Sequence, residues 1–235
     1  MNGDFTAAIA ALENSDPHSE RFSGTFVTFL PISGAAVSTL GEVLGSETIS
    51  ATDAHAARLD EVQFDLGEGP CWDALDAAGP IAEPSLRVTG AERWPAFAAA
   101  IRDEPVSSIF AFPLIVGPLR LGAVDLYSRT PVTLDSAETQ RASTLAAVVA
   151  RRVLRDALSA SDSPTDADAN PRTRRLIHQA TGIVLAQLDL RPDDALLIIQ
   201  GHAFATNRSM MEVATEIVEG RLAFRSRSGR IEVLP

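Results

Sequence analysis

The pattern of hydrophobic and polar positions divides the chain into two regions with different periods. Up to residue 159, short runs of β-branched and aromatic residues are interleaved with stretches of helical spacing. The runs predict strands over 35–40, 47–51, 81–82, 109–114 and 119–127. The other stretches predict helices over 4–13, from about Pro17, over 54–64, from Pro70, over 94–101 and over 136–159. Helices and hairpins in this order are typical of an α+β domain with an antiparallel sheet flanked by helices.

A second pattern runs from Arg172 to Phe224, where apolar residues recur at intervals of three and four. This spacing predicts three helices with almost no loop between them. Pro192 favours the first turn of the second helix. Ser209 and Glu212 have the spacing of a capping box, which places the start of the third helix. The sequence therefore predicts a small three-helix unit at the C-terminal end of the α+β domain.

The segments HQATGIVLAQ, DDALLIIQGHAFATNRS and MEVATEIV in this unit resemble the ANTAR module of bacterial transcription antiterminators. The resemblance implies a three-helix RNA-binding domain that works as a dimer on paired stem-loops in nascent messenger RNA. It implies that the RNA-binding residues are Arg174, Arg175, Gln179, Thr181, Gly182, His202 and Arg208. Many family members carry Lys where Thr181 stands and Arg where Gln200 stands, so a single copy should bind RNA weakly. The alternative is a structural helical bundle whose arginines form a solvated face.

The first region carries a second resemblance, in the segments GEGPCWDAL, RWPAF, IFAFPL and LGAVDLYS. Together with the order of elements they resemble the GAF domain, a sensory module, over about residues 4–158. The resemblance implies a pocket between sheet and helices for an unknown small-molecule ligand. Candidate lining residues are Cys71, Trp72, Trp94, Phe110, Phe112 and Tyr127. Aromatic residues also fill ordinary cores, and Cys71 is either a redox sensor or a small buried hydrophobe.

Charge is distributed unevenly along the chain. Residues 1–170 contain 11 Arg and 24 acidic residues, whereas residues 171–235 contain 9 Arg and 7 acidic residues. The basic share thus coincides with the three-helix unit, as expected for a nucleic-acid-binding part of an acidic protein. The segment SDSPTDADANP, residues 161–171, is polar and bounded by prolines, which is typical of a linker. We therefore divide the chain into a sensor domain (1–160), a linker (161–171), an ANTAR domain (172–224) and a basic tail (225–235).

Several classes of protein are disfavoured by what the sequence lacks. Cys71 is the only cysteine, so an intramolecular disulfide and a Cys-x-x-Cys site are both excluded. All 20 basic residues are Arg, which argues against enzymes that need a Lys. Because the histidines are scattered and no Gly-x-Ser-x-Gly motif occurs, we expect no catalytic residue, no metal ligand and no identifiable cofactor. The sequence shows no secretory signal and no apolar run of about 20 residues, which predicts a cytoplasmic protein without a membrane partner.

These patterns lead to one principal hypothesis and one alternative. The principal hypothesis is a signal-responsive RNA-binding regulator of transcription antitermination. It would form a homodimer through the apolar stripe of the 136–159 helix, through the three-helix unit, or through both. The alternative for the stripe is that this helix packs on the sheet of its own domain. The alternative is a ligand-sensing module that binds a protein partner and no nucleic acid. Binding to double-stranded DNA is disfavoured, because the three helices lack a recognition helix rich in base-reading side chains.

Overall fold

The computed structural model describes residues 2–14, 21–40, 44–161, 175–206, 208–227 and 230–234. The chain folds as two compact units, Met1–Arg172 and Thr173–Pro235. The predicted linker falls almost entirely outside the described residues. Each unit is described separately below.

The first unit is built on a five-stranded antiparallel sheet. Its elements are α1 (Asn2–Glu13), α2 (Arg21–Phe29), β1 (Gly34–Thr39), β2 (Glu47–Ala51), α3 (Ala54–Leu66), α4 (Pro70–Ala77), β3 (Ile81–Glu83), α5 (Leu86–Arg93), α6 (Pro95–Ala100), β4 (Ser108–Val116), β5 (Leu119–Ser128) and α7 (Ser136–Ser161). The strand order is β2-β1-β5-β4-β3, and every neighbouring pair is antiparallel. The predicted α+β sheet flanked by helices is confirmed.

Local sequence signals set the bounds of the central elements. Asp53 begins α3, because its Oδ1 accepts a hydrogen bond from the backbone N–H of Ala56 at 2.8 Å. The β4–β5 hairpin turns at Gly117, which has a φ of 58°. Gly122 lets β5 pass close to β1, since a Cβ at this position would overlap the carbonyl oxygen of Ser38.

Helices cover both faces of the sheet, and each face has its own hydrophobic cluster. One cluster joins α1, α2 and α7 to side chains such as Val37, Phe110 and Phe112. The other joins α3, α5 and α6 to the opposite face, where Trp94 and Tyr127 are buried. Because successive residues of a strand point to opposite faces, almost every strand position is covered. The strands are consequently buried along nearly their whole length.

The apolar stripe of α7 is used within the first unit. Leu145, Val148, Val149 and Val153 are all buried in the cluster that α7 forms with the sheet. Only Leu158, with 62% of its surface exposed, lies outside that packing. The prediction that this stripe pairs with a second copy is therefore wrong for the four buried residues, which cover the chain's own sheet instead.

The second unit contains three helices followed by a β-hairpin. The helices are α8 (Arg175–Leu188), α9 (Pro192–Thr206) and α10 (Met210–Val218), and the hairpin strands are β6 (Ala223–Arg227) and β7 (Arg230–Leu234). The capping box predicted at Ser209 and Glu212 is present at the start of α10. The three predicted helices are confirmed. Within the predicted basic tail, 225–227 and 230–234 lie in the strands of this hairpin.

Candidate RNA-binding surface and sensor site

One face of α8 is exposed. His178, Gln179, Gly182 and Ala186 are exposed there and lie along one side of the helix. A Cβ added to Gly182 would meet no atom within 4 Å. The glycine is therefore not required by packing inside the unit. It leaves a flat place on the helix where another molecule can approach the backbone closely.

Three of the predicted RNA-binding residues lie in the first half of α8 or just before it: Arg174, Arg175 and Thr181. Arg175 is the first residue of the helix, whereas Arg174 lies outside the described residues. Thr181 is half-buried, and its hydroxyl donates a hydrogen bond to the carbonyl oxygen of Ile177 at 2.7 Å. Because this bond lies within the helix, the Thr181 side chain is partly committed to local structure.

Arg208 is committed to an ion pair inside the second unit. Its Nη1 lies 2.8 Å from the Oε2 of Glu216, a residue of α10. The hydrogen bond from Arg208 is the main reason that the pKa of Glu216 is held below its usual range. The same bond raises the pKa of Arg208. Arg208 therefore ties the segment between α9 and α10 to α10.

His202 lies between the helices and the hairpin. Its ring meets the ring of Phe224 edge to face, with centroids 5.6 Å apart. Phe224 is buried, and its backbone N–H donates to the Oε1 of Gln187 in α8 at 2.8 Å. The structure thus places His202 at the junction with the hairpin, while Gln179 and Gly182 remain on the open face of α8.

In the first unit, the six predicted pocket residues do not surround one space. Phe110 and Phe112 belong to the cluster under α7, whereas Trp94 and Tyr127 belong to the cluster on the opposite face. The sheet separates the two groups. The prediction that all six line one pocket is wrong, because the strand alternation sends Phe110 and Tyr127 to different faces.

The remaining two predicted pocket residues lie on α4. Cys71 is 1% exposed, and its backbone N–H donates to the Oε1 of Gln63 at 2.9 Å. Trp72 is half-buried, stacks on Phe64, and donates from its Nε1 to the backbone oxygen of Gln63 at 2.8 Å. Gln63 thus fixes α4 onto α3 through both its side chain and its backbone.

A group of buried polar side chains lies beneath α3. Its members are less than 10% exposed and come from β1, β2 and α3: Ser38, Thr48, Asp60 and Gln63. Ser38 faces Thr48 across the β1–β2 pair, and the Thr48 hydroxyl donates to Asp60. Ser38 Oγ and Gln63 Nε2 have no hydrogen-bond partner among the described residues. Buried polar atoms of this kind are costly unless another group satisfies them. We call these four residues the polar cluster.

Tyr127 joins the sheet to the start of α3. Its hydroxyl donates to the Oδ2 of Asp53 at 2.9 Å and accepts from the Nη2 of Arg129 at 3.3 Å. Burial, followed by the hydrogen bond to the Asp53 carboxylate, raises the pKa of Tyr127 to about 12. The phenol therefore stays neutral and keeps donating to the carboxylate that caps α3.

Comparison with protein families identifies the second unit. Residues 165–218 match the model of the ANTAR domain. The chain carries an ANTAR domain. The matched residues begin within the predicted linker and extend through α8, α9 and α10. Comparison of the chain with the curated proteins gives no match.

Comparison with solved structures places the first unit. It is similar to the GAF domain of a phosphoenolpyruvate-protein phosphotransferase from Coxiella burnetii, with 13% sequence identity and a TM-score of 0.51. That alignment covers 67% of this chain and 94% of the other. The corresponding GAF domain from Acinetobacter is 9% identical, with a TM-score of 0.49, and the alignment covers 70% and 95%. The N-terminal unit has the GAF fold, so the chain combines a GAF unit with an ANTAR domain.

The hairpin β6–β7 lies beyond the residues matched to the ANTAR domain. Sequence reasoning treated this segment as a basic tail, although its alternation of Phe224, Arg225, Ser226 and Arg227 is a strand signal. The polar cluster of the GAF unit was missed because Ser38 and Thr48 resemble ordinary solvent-facing strand residues. Within the described residues, no helix is both long enough and apolar enough to cross a membrane.

Proposed function

We propose that the protein is an RNA-binding regulator of transcription antitermination whose GAF unit senses a small molecule and whose ANTAR domain binds paired stem-loops in nascent messenger RNA. The observation that carries this proposal is the ANTAR match over 165–218, which spans the three helices of the second unit. The exposed face of α8 supports it, because this face is polar, open and free of internal packing at Gly182.

The proposed contact places RNA against the open face of α8. RNA hairpins are recognised through their shape, their backbone and their unpaired bases. Gln179 can donate and accept hydrogen bonds with such groups. Gly182 allows the RNA backbone to approach the helix closely, and Arg175 at the start of α8 adds positive charge at that end. Arg208 supports the interface indirectly in this proposal, through its bond to Glu216.

The decisive test uses two glycines in equivalent settings. Gly182 in α8 and Gly201 in α9 are both exposed, and a Cβ at either would meet no atom within 4 Å. Changing either to Ala should preserve or raise stability by up to about 1 kcal/mol, because Ala favours the helix. We expect Gly182→Ala to weaken RNA binding by about tenfold or more, equivalent to about 1.4 kcal/mol. Gly201→Ala is the matched control and should bind RNA as the wild type does.

The binding probe is a pool of synthetic RNAs, each with two adjacent stem-loops of randomised loop sequence, incubated with the full chain. Selective enrichment followed by titration gives the affinity of each variant. Equal affinity of Gly182→Ala and wild type would show that RNA does not contact this face. If the wild type enriches no RNA, the RNA-binding function fails. Protein partners that persist in pull-downs after ribonuclease treatment would then favour the interaction module proposed as the alternative.

For the sensor, we propose that the signal is a small polar molecule bound at the polar cluster. Ser38 Oγ and Gln63 Nε2 support this, since both are buried and a ligand could satisfy them. A ligand at 100 times its dissociation constant adds about 2.7 kcal/mol of stability. Thermal unfolding with fractionated cell metabolites should reveal a stabilising fraction whose effect disappears in Ser38→Ala and persists in Ser143→Ala, which removes a hydroxyl that bonds within α7. No stabilising fraction for the wild type would contradict the site.

A further inference from the structure

Three arginines in the described part of the ANTAR unit are held in ion pairs with acidic side chains. Arg191 pairs with Asp194 at 3.1 Å, Arg208 pairs with Glu216, and Arg221 pairs with Glu219. Guanidinium groups held in such pairs contribute little net attraction for phosphate, because an acidic group lies beside each of them. The arginines that remain available must be sought elsewhere in the unit.

Two exposed arginines on the hairpin are outside these pairs. Arg225 and Arg227 lie on β6, and neither has an ion pair among the described residues. They are two residues apart on one strand, so they point to the same face with about 6.8 Å between their Cα atoms. Glu232 stands opposite Arg225 in the register without an ion pair to it, and Arg230 stands opposite Arg227. This face therefore carries the Arg225 and Arg227 side chains together with Glu232.

On the opposite face of the hairpin, Phe224 is the residue that contacts the helices, whereas Ile231 and Val233 on that face are 49% and 44% exposed. Phe224, next to Arg225, is 4% exposed and packs against His202. Its N–H binds Gln187, which follows Gly182 by five residues and hence by about 7.5 Å along the axis of α8. Because the Phe224 face is turned towards the helices, the Arg225 face is turned outward. Arg225 and Arg227 therefore lie on a strand that is anchored close to α8.

We propose that this outward hairpin face is a phosphate-binding arm, in which Arg225 and Arg227 contact the RNA backbone beside the surface of α8. The proposal rests on the RNA-binding function proposed above and adds a site outside the residues matched to the ANTAR domain. Arginine suits this role, because its planar guanidinium donates two parallel hydrogen bonds to a phosphate. Contacts to phosphate carry no base information. The arm strengthens binding to every sequence that the α8 surface accepts.

The test measures the salt dependence of RNA binding by the full chain, with RNAs enriched from the double stem-loop pool. Each lost phosphate contact makes the slope of log affinity against log salt shallower by about 1. The double variant Arg225→Gln/Arg227→Gln should therefore lose about 2 from the slope, by the same amount for each enriched RNA. Arg191→Gln/Arg221→Gln is the matched control, since it removes the same charge from the same unit. Arg225→Lys/Arg227→Lys should restore most of the slope.

The outcomes separate this proposal from the function on which it rests. Absence of RNA binding by the wild type overturns the RNA-binding function itself. If the wild type binds RNA and the hairpin double variant shows the wild-type salt dependence, the proposed phosphate-binding arm is refuted. The RNA-binding function then stands. An equal decrease of the salt-dependence slope in the hairpin and control variants also refutes the proposed arm, because the change in net charge alone would then explain the decrease. A loss confined to the hairpin variant, with rescue by Lys, supports it.

Discussion

Raising the pH tests how the sheet of the GAF unit is fastened to α3. Tyr127 is the only tyrosine in the chain, so the ultraviolet absorbance of tyrosinate reports on this residue alone. Its side chain is 2% exposed, and its hydroxyl donates to Asp53 Oδ2 at 2.9 Å. Ionisation would place a buried phenolate beside a carboxylate and remove the hydrogen bond. We therefore expect the phenol to resist titration until the fold gives way.

The size and sign of the effect follow from the pKa. Burial and Asp53 raise the pKa of Tyr127 from 10.0 to about 12 in the folded protein. This difference corresponds to roughly 3 kcal/mol of stability. Because the folded-state pKa is the higher one, this contribution is fully present below about pH 10, the pKa of an unfolded tyrosine. It is lost as the pH rises from 10 towards 12, so stability falls over that window.

The assay follows tyrosinate absorbance and far-ultraviolet circular dichroism in the same alkaline titration. Native protein should ionise with a midpoint near 12, or together with unfolding if that occurs first. Protein unfolded in urea should titrate near 10, and Tyr127→Phe should show no tyrosinate signal. A midpoint near 10 while the circular dichroism stays native would refute the reasoning. In that case the phenol would be neither buried nor bonded to Asp53.

Three further predictions concern single side chains. Arg208 lowers the pKa of Glu216, so their ion pair stabilises the ANTAR domain fully above about pH 4.3, the pKa of an unfolded Glu. This stability is lost as the pH falls through the lower pKa of the folded state. In acid titrations followed by circular dichroism, Glu216→Gln should reduce the acid-induced loss of stability, and an unchanged titration curve would contradict the ion pair. Ser209→Ala should lower the stability of the same domain by about 1 kcal/mol in thermal unfolding, because it removes the cap of α10. The Cys71 thiol, 1% exposed, should react with a soluble thiol reagent only after denaturant is added, and fast reaction of native protein would revive the redox-sensor hypothesis.

The elements that were predicted well are those with local signals. Asp53 and Gly67 mark the two ends of α3, and the glycine-containing turn at 116–118 marks the β4–β5 hairpin. In the ANTAR domain the capping box at Ser209 located α10. Such signals depend on residues within a few positions of each other, so a single sequence is enough to find them.

The features that were missed depend on distant contacts. No helix was predicted at α5, because LRVTGAER has modest helix propensity and contains Gly90. In the structure Leu86 is buried, and its side chain packs where a Cβ on Gly90 would lie. Helix α5 is therefore stabilised by tertiary packing and not by its local sequence. The polar cluster was missed for a related reason, since Ser38 and Thr48 alternate with apolar residues as solvent-facing positions do. Only the structure shows that α3 covers them.

The candidate RNA-binding residues illustrate the same limit. A motif identifies positions, and Gln179 and Gly182 do lie on an open face. It does not show which charges are engaged elsewhere, and Arg208 is bonded to Glu216 in another helix. The hairpin arginines were assigned to a tail because the burial of Phe224 against His202 is not visible in sequence. Charge counts alone therefore misplace the available positive charge of the domain.

The packing of α7 against its own sheet changes where a dimer interface is expected. Of its predicted dimer stripe, Leu158 alone is exposed, and one leucine cannot supply the roughly 800 Å² per partner of a typical stable interface. If the protein dimerises, the contact must lie mainly elsewhere, and the ANTAR domain is our proposal. Leu158→Glu should then leave the sedimentation coefficient unchanged and alter stability by no more than about 0.5 kcal/mol. Val149→Glu, at a fully buried position, should instead unfold the GAF unit. Dissociation of a dimer by Leu158→Glu would restore α7 as the interface.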